Sequence, residues 1–118
     1  MPEILVGDFN SPGTPSIPVG ETYRQLLAVG FKDADTSSMP NLTCCHPSTL
    51  TSTRVELSTR IDLILIRNTN KYENLEPGTI SVPGDELSDR ILVSSPAGSM
   101  LLWPSDHAGV VAFLRIVE

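Results

Sequence analysis

The sequence predicts an α/β (α+β) domain that contains more strands than helices. Ile61–Ile66 and residues 109–117 are apolar, β-branched runs typical of strands buried on both faces. Only residues 21–29 place apolar side chains at helical spacing. With 118 residues, of which 40% are hydrophobic, the chain is suited to one folded domain at most.

The first elements follow from short patterns near the amino terminus. Residues 3–7 predict a short buried strand that ends at Asp8. Residues 11–20 contain three prolines and two glycines, which indicates a loop. Residues 21–29 predict a short amphipathic helix, with Gly30 suited to its carboxyl-terminal cap.

The middle of the chain is more irregular until its clearest strand. Residues 31–38 lead out of the helix through Asp33 and Asp35, which are expected to be solvated loop acids. Residues 42–45 are a candidate short strand. In Ile61–Ile66, alternate side chains are apolar on both faces, so cover is needed on both sides.

The last part of the sequence, from residue 79 onward, predicts two weaker strands and one long strand. Residues 79–82 and 90–94 indicate short strands separated by a Pro83-Gly84 turn. Residues 109–117 predict a long apolar strand. Two such strands with only one clear helix leave one face of the sheet without an obvious cover.

Charge and hydropathy restrict the partners. The net charge is −6 with only 8 Lys and Arg, and no basic run of the kind that follows a nucleic-acid backbone is present. A phosphate substrate remains compatible with this charge, because a bound cation supplies local positive charge. No stretch approaches the roughly 18–20 apolar residues of a membrane span, and the compartment stays open.

The two cysteines, Cys44 and Cys45, are adjacent. On a strand their side chains point to opposite faces, so they are not expected to bridge each other. Two buried thiols and pairing with a cysteine outside this chain remain alternatives. Together with His46 they lack the spacing of zinc ligands.

Three short strings carry the chemistry: Gly7-Asp8-Phe9-Asn10, Arg60-Ile61-Asp62 and Ser105-Asp106-His107. Each string puts a carboxylate at the junction of a strand and a loop. The first string adds the amide of Asn10, and the third adds the imidazole of His107. Such a set suits a hard divalent cation, a phosphate oxygen and a positioned water. The three strings together predict metal-assisted phosphoester hydrolysis.

Individual residues in these strings have expected roles and alternatives. A carboxylate such as Asp62 within an aliphatic strand needs a partner, either His107 or Arg60. Asp106 is expected to bind the metal, and His107 to face the phosphate. Trp103 either stacks on a substrate base or lipid group, as a substrate-binding residue, or plugs the edge of the sheet.

The strings GDFN, RIDLIL and SDH resemble the last three motifs of the endonuclease/exonuclease/phosphatase superfamily, in the same order. The resemblance covers nearly all of residues 1–118 but only the carboxyl-terminal half of the family's domain. It implies half of a four-layer α/β/β/α sandwich, with one mostly antiparallel sheet and one or two helices. In the family, the uncovered sheet face packs on a second sheet.

The resemblance also implies roles at the site. Asp8 would orient or deprotonate the attacking water and bind metal with Asp106, and Asn10 would hold the phosphate. His107, paired with Asp62, would stabilise the transition state or transfer a proton. The cofactor would be Mg²⁺ (or Mn²⁺/Ca²⁺). Which group is the base stays open, and the family's metal-binding Glu has no counterpart in this chain.

The expected function is therefore metal-dependent hydrolysis of a phosphodiester or phosphomonoester, in nucleic acid, phospholipid or inositol phosphate. The expected partners are the substrate and either the missing amino-terminal half of the domain or a second copy in a homodimer. The alternative is a non-catalytic α/β binding module, or an inactive fragment, that associates through its exposed sheet face.

Overall fold

The computed structural model describes residues 3–67, 72–74 and 83–116. The elements in chain order are β1 (Glu3–Asp8), α1 (Glu21–Ala28), β2 (Lys32–Asp33), β3 (Asp62–Arg67), β4 (Tyr72–Asn74), β5 (Ile91–Ser95), β6 (Gly98–Leu102) and β7 (Leu114–Ile116). The predicted α+β class is confirmed at this coarse level. Within the described ranges, no helix is long and apolar enough to cross a membrane.

The strands of the described ranges form three antiparallel sheets, so the expectation of one sheet is wrong. The main sheet has the order β1-β3-β2, β4 pairs with β7, and β5 with β6 form a hairpin. β3, the most apolar strand, lies in the centre of the main sheet and pairs with a neighbour on each side. Because β3 pairs on both sides, its first residue, Asp62, has a fixed position at the end of the sheet.

One face of the main sheet is covered by α1 and by the segment that follows it. Leu63 and Leu65, on the same side of β3, are almost fully buried and pack with Tyr23 of α1 and with Phe31. Alternation along the strand puts both leucines on this face. The helix therefore anchors β3 from one side, as its two-sided apolar pattern requires.

The opposite face is only partly covered. Ile64 packs with the buried residues Ala34 and Ala108. Across the β1–β3 pair, Ile4 is 46% exposed and Val6 is 67% exposed. The prediction of a strand over residues 3–7 is confirmed, but its burial is wrong. β1 is an edge strand, and its half of this face is open to solvent.

A buried ion pair joins β2 to Arg60, which lies two residues before the start of β3. The guanidinium of Arg60, which is 2% exposed, pairs with the Asp33 carboxylate and donates from Nε to the Thr14 carbonyl at 2.6 Å. The Tyr23 hydroxyl donates to the same carboxylate at 2.8 Å. Burial, followed by the charge of Asp33, raises the pKa of Tyr23.

This arrangement corrects the expectation that Asp33 and Asp35 are solvated. Asp35 is 8% exposed, and its carboxylate accepts hydrogen bonds from the backbone amide and hydroxyl of Ser37. A sequence pattern of acids in a short loop does not reveal which of them receive a buried cation or local donors. Here Arg60 lies 27 residues away along the chain.

The prediction of a long strand over residues 109–117 is wrong for most of the residues that the structure describes there. Within the described residues of this segment only Leu114–Ile116 forms a strand, paired with β4, whereas Val111 makes an isolated bridge. The Gly109 amide donates to the Pro83 carbonyl at 2.8 Å. The predicted turn at Pro83-Gly84 is present, with Gly84 at φ +97°.

The hairpin of β5 and β6 was predicted only in part. β5 confirms the strand expected at residues 90–94, but β6 was not expected, and its turn places Gly98 at φ +123°. The strand predicted at residues 79–82 lies outside the described residues.

Candidate functional site

Asp8 and Asp62 lie directly opposite each other in the β1–β3 pair. Asp8 ends β1 and Asp62 begins β3, so the antiparallel pairing brings both carboxylates to the same end of the sheet. Side chains of directly opposed residues share a face, and like charges in such a pair repel each other. A cation or a cationic side chain between them would offset this repulsion.

The segment around Thr43 ties the loop that carries His107 to the start of β3. The Thr43 carbonyl accepts a hydrogen bond from the Ala108 amide at 2.8 Å. Its hydroxyl accepts from the amides of Ile61 and Asp62, each at 3.1 Å. Thr43 is 1% exposed, so these bonds are sheltered from water. Sequence reasoning missed this residue, because a single threonine in a Ser/Thr-rich stretch carries no distinguishing signal.

The expected contact between His107 and Asp62 is present. His107 Nδ1 lies 2.8 Å from Asp62 Oδ2, and the two side chains are 26% and 20% exposed. With Asp8 they form a group whose ligand atoms all lie within 4.8 Å of one another. Because Nδ1 faces Asp62, Nε2 is the ring atom left for other partners.

The pKa of His107 is raised above its ordinary value of 6.5, chiefly by the hydrogen bond to Asp62. Partial burial opposes this shift, while the charges of Asp62, Asp106 and Asp8 add to it. A folded-state pKa above the unfolded value means that protonated His107 stabilises the fold. That contribution is complete below about pH 6.5 and is lost as the pH rises through the raised pKa.

We expect Asp62→Asn to lower the pKa of His107 towards its ordinary value, because the neutral amide removes the charge that favours the imidazolium. Asp106→Asn should lower it less, since Asp106 contributes less to the shift. Nuclear magnetic resonance titration of the ring protons measures both effects, with His107→Gln identifying the signal. Equal pKa values in the wild type and Asp62→Asn would contradict the pairing.

Arg60, the competing partner for Asp62, lies elsewhere. Its guanidinium is close to Gly13, Leu63 and Tyr23, on the face covered by α1. β3 begins at Asp62, so strand alternation does not extend back to residue 60. The alternative left open by the sequence is thus decided in favour of His107.

Asn10 follows Asp8 in a local turn. Its backbone amide donates to Asp8 Oδ1 at 2.8 Å, and its φ is +47°. This is the turn geometry that Asp and Asn favour. Both side chains are exposed to solvent, so the turn leaves them accessible from outside the sheet.

Asp106 lies next to His107 but outside the group formed with Asp8. Its side chain is exposed and accepts a long bond, 3.4 Å, from the Ser105 hydroxyl, while its carbonyl accepts from the His46 amide at 2.7 Å. Among the described residues, the ligand atoms within 4.8 Å of His107 and Asp62 therefore include Asp8 but not Asp106.

Trp103 is 1% exposed and packs against the segments that contain His46 and Ser52. Its ring stacks on His46 with centroids 3.8 Å apart, and its Nε1 donates to the Ser52 carbonyl at 2.9 Å. Of the two roles that the sequence left open, the packing role fits this burial, because almost no ring surface is accessible to a substrate.

The cysteines differ from expectation. Their sulfurs are bonded to each other, whereas adjacent cysteines on a strand would point apart. The predicted strand at 42–45 is absent: Cys44 makes only isolated bridges, to Thr59 and to His107, so alternation does not apply. The two sulfurs lie 3.6 Å (Cys44) and 3.9 Å (Cys45) from His107 Nε2.

A cleft of about 410 Å³ opens beside this group. Its lining includes Asp62, Val6, Ile64 and Val110. The cleft is apolar except at the Asp62 end, a composition common in sites that bind small molecules. It continues the open half of the sheet face formed by β1.

Comparisons with family models, curated proteins and solved structures found no match to this chain. The resemblance of the three strings to the endonuclease/exonuclease/phosphatase superfamily therefore stays an expectation. What can be said of function rests on the geometry of the site.

Proposed function

We propose that this chain supplies part of the catalytic site of a metal-dependent phosphoesterase. The observation that carries the proposal is the convergence of Asp8, Asp62 and His107 from three separate segments to within 4.8 Å. The substrate class is a phosphodiester or phosphomonoester, in nucleic acid, phospholipid or inositol phosphate. The net charge of −6 favours a small or lipid phosphoester over duplex DNA, because a basic footprint is lacking.

His107 is assigned the role of proton donor and stabiliser of developing negative charge. Asp62 orients its ring through Nδ1 and favours the imidazolium form. A positively charged ring placed beside a phosphate oxygen stabilises the transition state more than the ground state, because charge builds up on the oxygens during attack. Its proton is also available to the reacting group.

Asp8 is assigned the role of orienting or deprotonating the attacking water, and Asn10 that of holding a phosphate oxygen. Both side chains are exposed at the end of β1, where a ligand has access to them. The carboxylate accepts a proton, and the amide donates a hydrogen bond without adding negative charge.

The donor chemistry fits Mg²⁺, Mn²⁺ or Ca²⁺. Asp8 and Asp106 are exposed carboxylates near the same imidazole, and Mg²⁺ typically takes one or two carboxylates and keeps several waters. These two residues would hold the cation. When bound, it would polarise the phosphoryl group and lower the pKa of a bound water.

The exposed half of the sheet face supports a larger assembly. Ile4 and Val6 are open to solvent beside the cleft. In the proposal, a second sheet covers this face and completes a four-layer sandwich, supplied by an amino-terminal half of the domain or by a second copy. The same exposed surface favours the second candidate, a binding module that associates through this face without catalysis.

The experiment that separates the two candidates is a phosphoesterase assay on the natural gene product that carries this sequence. Chromogenic phosphodiester and phosphomonoester substrates are tested after removal of metal by a chelator, and again after addition of Mg²⁺, Mn²⁺ or Ca²⁺. Activity that is lost on chelation and restored by one of these cations supports the enzyme. Absence of turnover with every cation would favour the binding module.

A further inference from the structure

A second cluster of ligand atoms lies on the other side of the His107 ring from Asp62. The sulfurs of Cys44 and Cys45 and the Nε2 atom of His107 lie within 4.8 Å of one another. Cys44 is buried and Cys45 is exposed, so solvent has access to one side of the cluster. This set takes no part in the carboxylate site described above, apart from the shared imidazole.

We propose that the reduced form of this cluster binds a thiophilic divalent cation such as Zn²⁺ through Cys44, Cys45 and His107. The site is separate from the proposed Mg²⁺ site and does not depend on phosphoesterase activity. Two thiolates and one imidazole form the Cys₂His set of some catalytic zinc sites, which keep a fourth position for water.

The two sulfur–nitrogen separations fit one tetrahedral ion. With Zn–S of about 2.3 Å and Zn–N of about 2.0 Å, sulfur and nitrogen ligands on a tetrahedral ion lie about 3.5 Å apart. The observed separations from His107 Nε2 are 3.6 Å to Cys44 and 3.9 Å to Cys45. The two sulfurs are bonded to each other in the structure. After reduction they must move to about 3.8 Å apart before both can share one tetrahedral cation with the nitrogen.

The rest of the imidazole is arranged as in metal-binding histidines. A histidine that binds metal through one ring nitrogen almost always donates from the other, often to a carboxylate, which sets the tautomer and the ring orientation. His107 Nδ1 meets Asp62 Oδ2 at 2.8 Å. With its proton on Nδ1, the ring presents the lone pair of Nε2 to the two sulfurs.

The neighbouring His46, which the sequence places beside the cysteines, is not available for this site. It is 2% exposed, stacks on Trp103, and its Nε2 lies 2.9 Å from the Gly84 carbonyl. The ligand is instead a histidine 62 residues beyond Cys45. The spacing of zinc ligands therefore cannot be recognised in the sequence.

Binding requires that the Cys44–Cys45 disulfide be reduced first. A trialkylphosphine donates two electrons and becomes a phosphine oxide with oxygen from water, whose two protons complete the two thiols. Binding of the cation then forms two metal–sulfur bonds and releases the two thiol protons to solvent. The oxidised chain should bind no Zn²⁺ through sulfur, because neither sulfur is a thiolate.

The test is a Co²⁺ and Zn²⁺ titration of the full chain, before and after phosphine reduction, followed by absorption spectroscopy. We expect the reduced chain to take up one Co²⁺ with a sulfur-to-cobalt charge-transfer band and strong visible bands typical of tetrahedral cobalt. Zn²⁺ should displace it. No charge-transfer band in the reduced wild type would overturn the proposal.

Four variants assign the ligands, with circular dichroism as the check on folding. Cys45→Ser should lose charge-transfer intensity, and His107→Gln should shift the visible bands and weaken binding. Asp62→Asn should weaken Zn²⁺ binding about 10–100-fold while keeping the spectrum. Glu21→Gln, in the exposed first turn of α1, is the control and should bind as the wild type does.

A spectrum and affinity unchanged in His107→Gln would also overturn the proposal, since the cysteines alone would then hold the cation. Should that variant fail to fold, an unchanged affinity in Asp62→Asn would do the same. None of these measurements depends on catalysis, so they fail or succeed independently of the phosphoesterase assay.

Discussion

His107→Ala should lower the rate of metal-dependent phosphoester hydrolysis by about 10²–10⁴-fold in the natural gene product. The substitution removes the ring that Asp62 orients at 2.8 Å and therefore both the proton and the positive charge assigned to the site. Asp8→Ala should cause a loss of the same order by removing the group that orients the water. Steady-state kinetics with saturating Mg²⁺ measures both.

A matched control is Glu21→Ala, which changes an acid in the exposed first turn of α1 and should leave the rate unchanged. Asp62→Asn tests the positioning role. It should lower the rate and move the pH dependence of kcat to lower pH, because the pKa of His107 falls when the charge is removed. Near-wild-type rates in both His107→Ala and Asp8→Ala would favour the binding module.

Arg60→Ala should destabilise the fold by about 3–5 kcal/mol, because it leaves the buried Asp33 carboxylate without its cation. The two side chains are only 3% and 11% exposed. The loss also removes the bond to the Thr14 carbonyl. Urea denaturation followed by circular dichroism gives the change in the free energy of unfolding.

The chain provides a matched control for this effect in Arg54, whose side chain is 81% exposed and pairs with Glu56. Arg54→Ala should change stability little, because water screens exposed pairs. A variant that replaces both Arg60 and Asp33 with apolar residues of similar size should recover much of the loss, since no unpaired charge remains. Equal effects of Arg60→Ala and Arg54→Ala would contradict the buried pair.

Much of the fold could be predicted because local patterns reveal which residues need burial. The alternation in Ile61–Ile66 indicated a central strand, and it forms β3. The helical spacing at 21–29 and the glycine after it indicated α1, with Gly30 at φ +94°. The junctions of strand and loop also indicated Asp8, Asn10, Asp62, Asp106 and His107 as one group. Of these, Asp8, Asp62 and His107 have ligand atoms within 4.8 Å of one another.

The exposure of β1 could not be predicted, because an apolar strand has the same pattern at the edge of a sheet as in its centre. The pattern of residues 109–117 was equally misleading, since apolar residues outside a strand also pack in a core. Val110 and Ala112, for example, lie outside any strand and pack against the buried residues Ala34 and Ala108.

The sequence by itself determined the central strand, the helix and the placement of the Asp8 and Asp62 carboxylates at strand ends. Only the tertiary structure decided the partners: His107 for Asp62, Asp33 for Arg60, and the two cysteines beside the same imidazole. The reason is physical. Periodicity records which side of an element is buried, whereas contacts between residues 45 or 62 positions apart depend on strand register and on how loops are tied together.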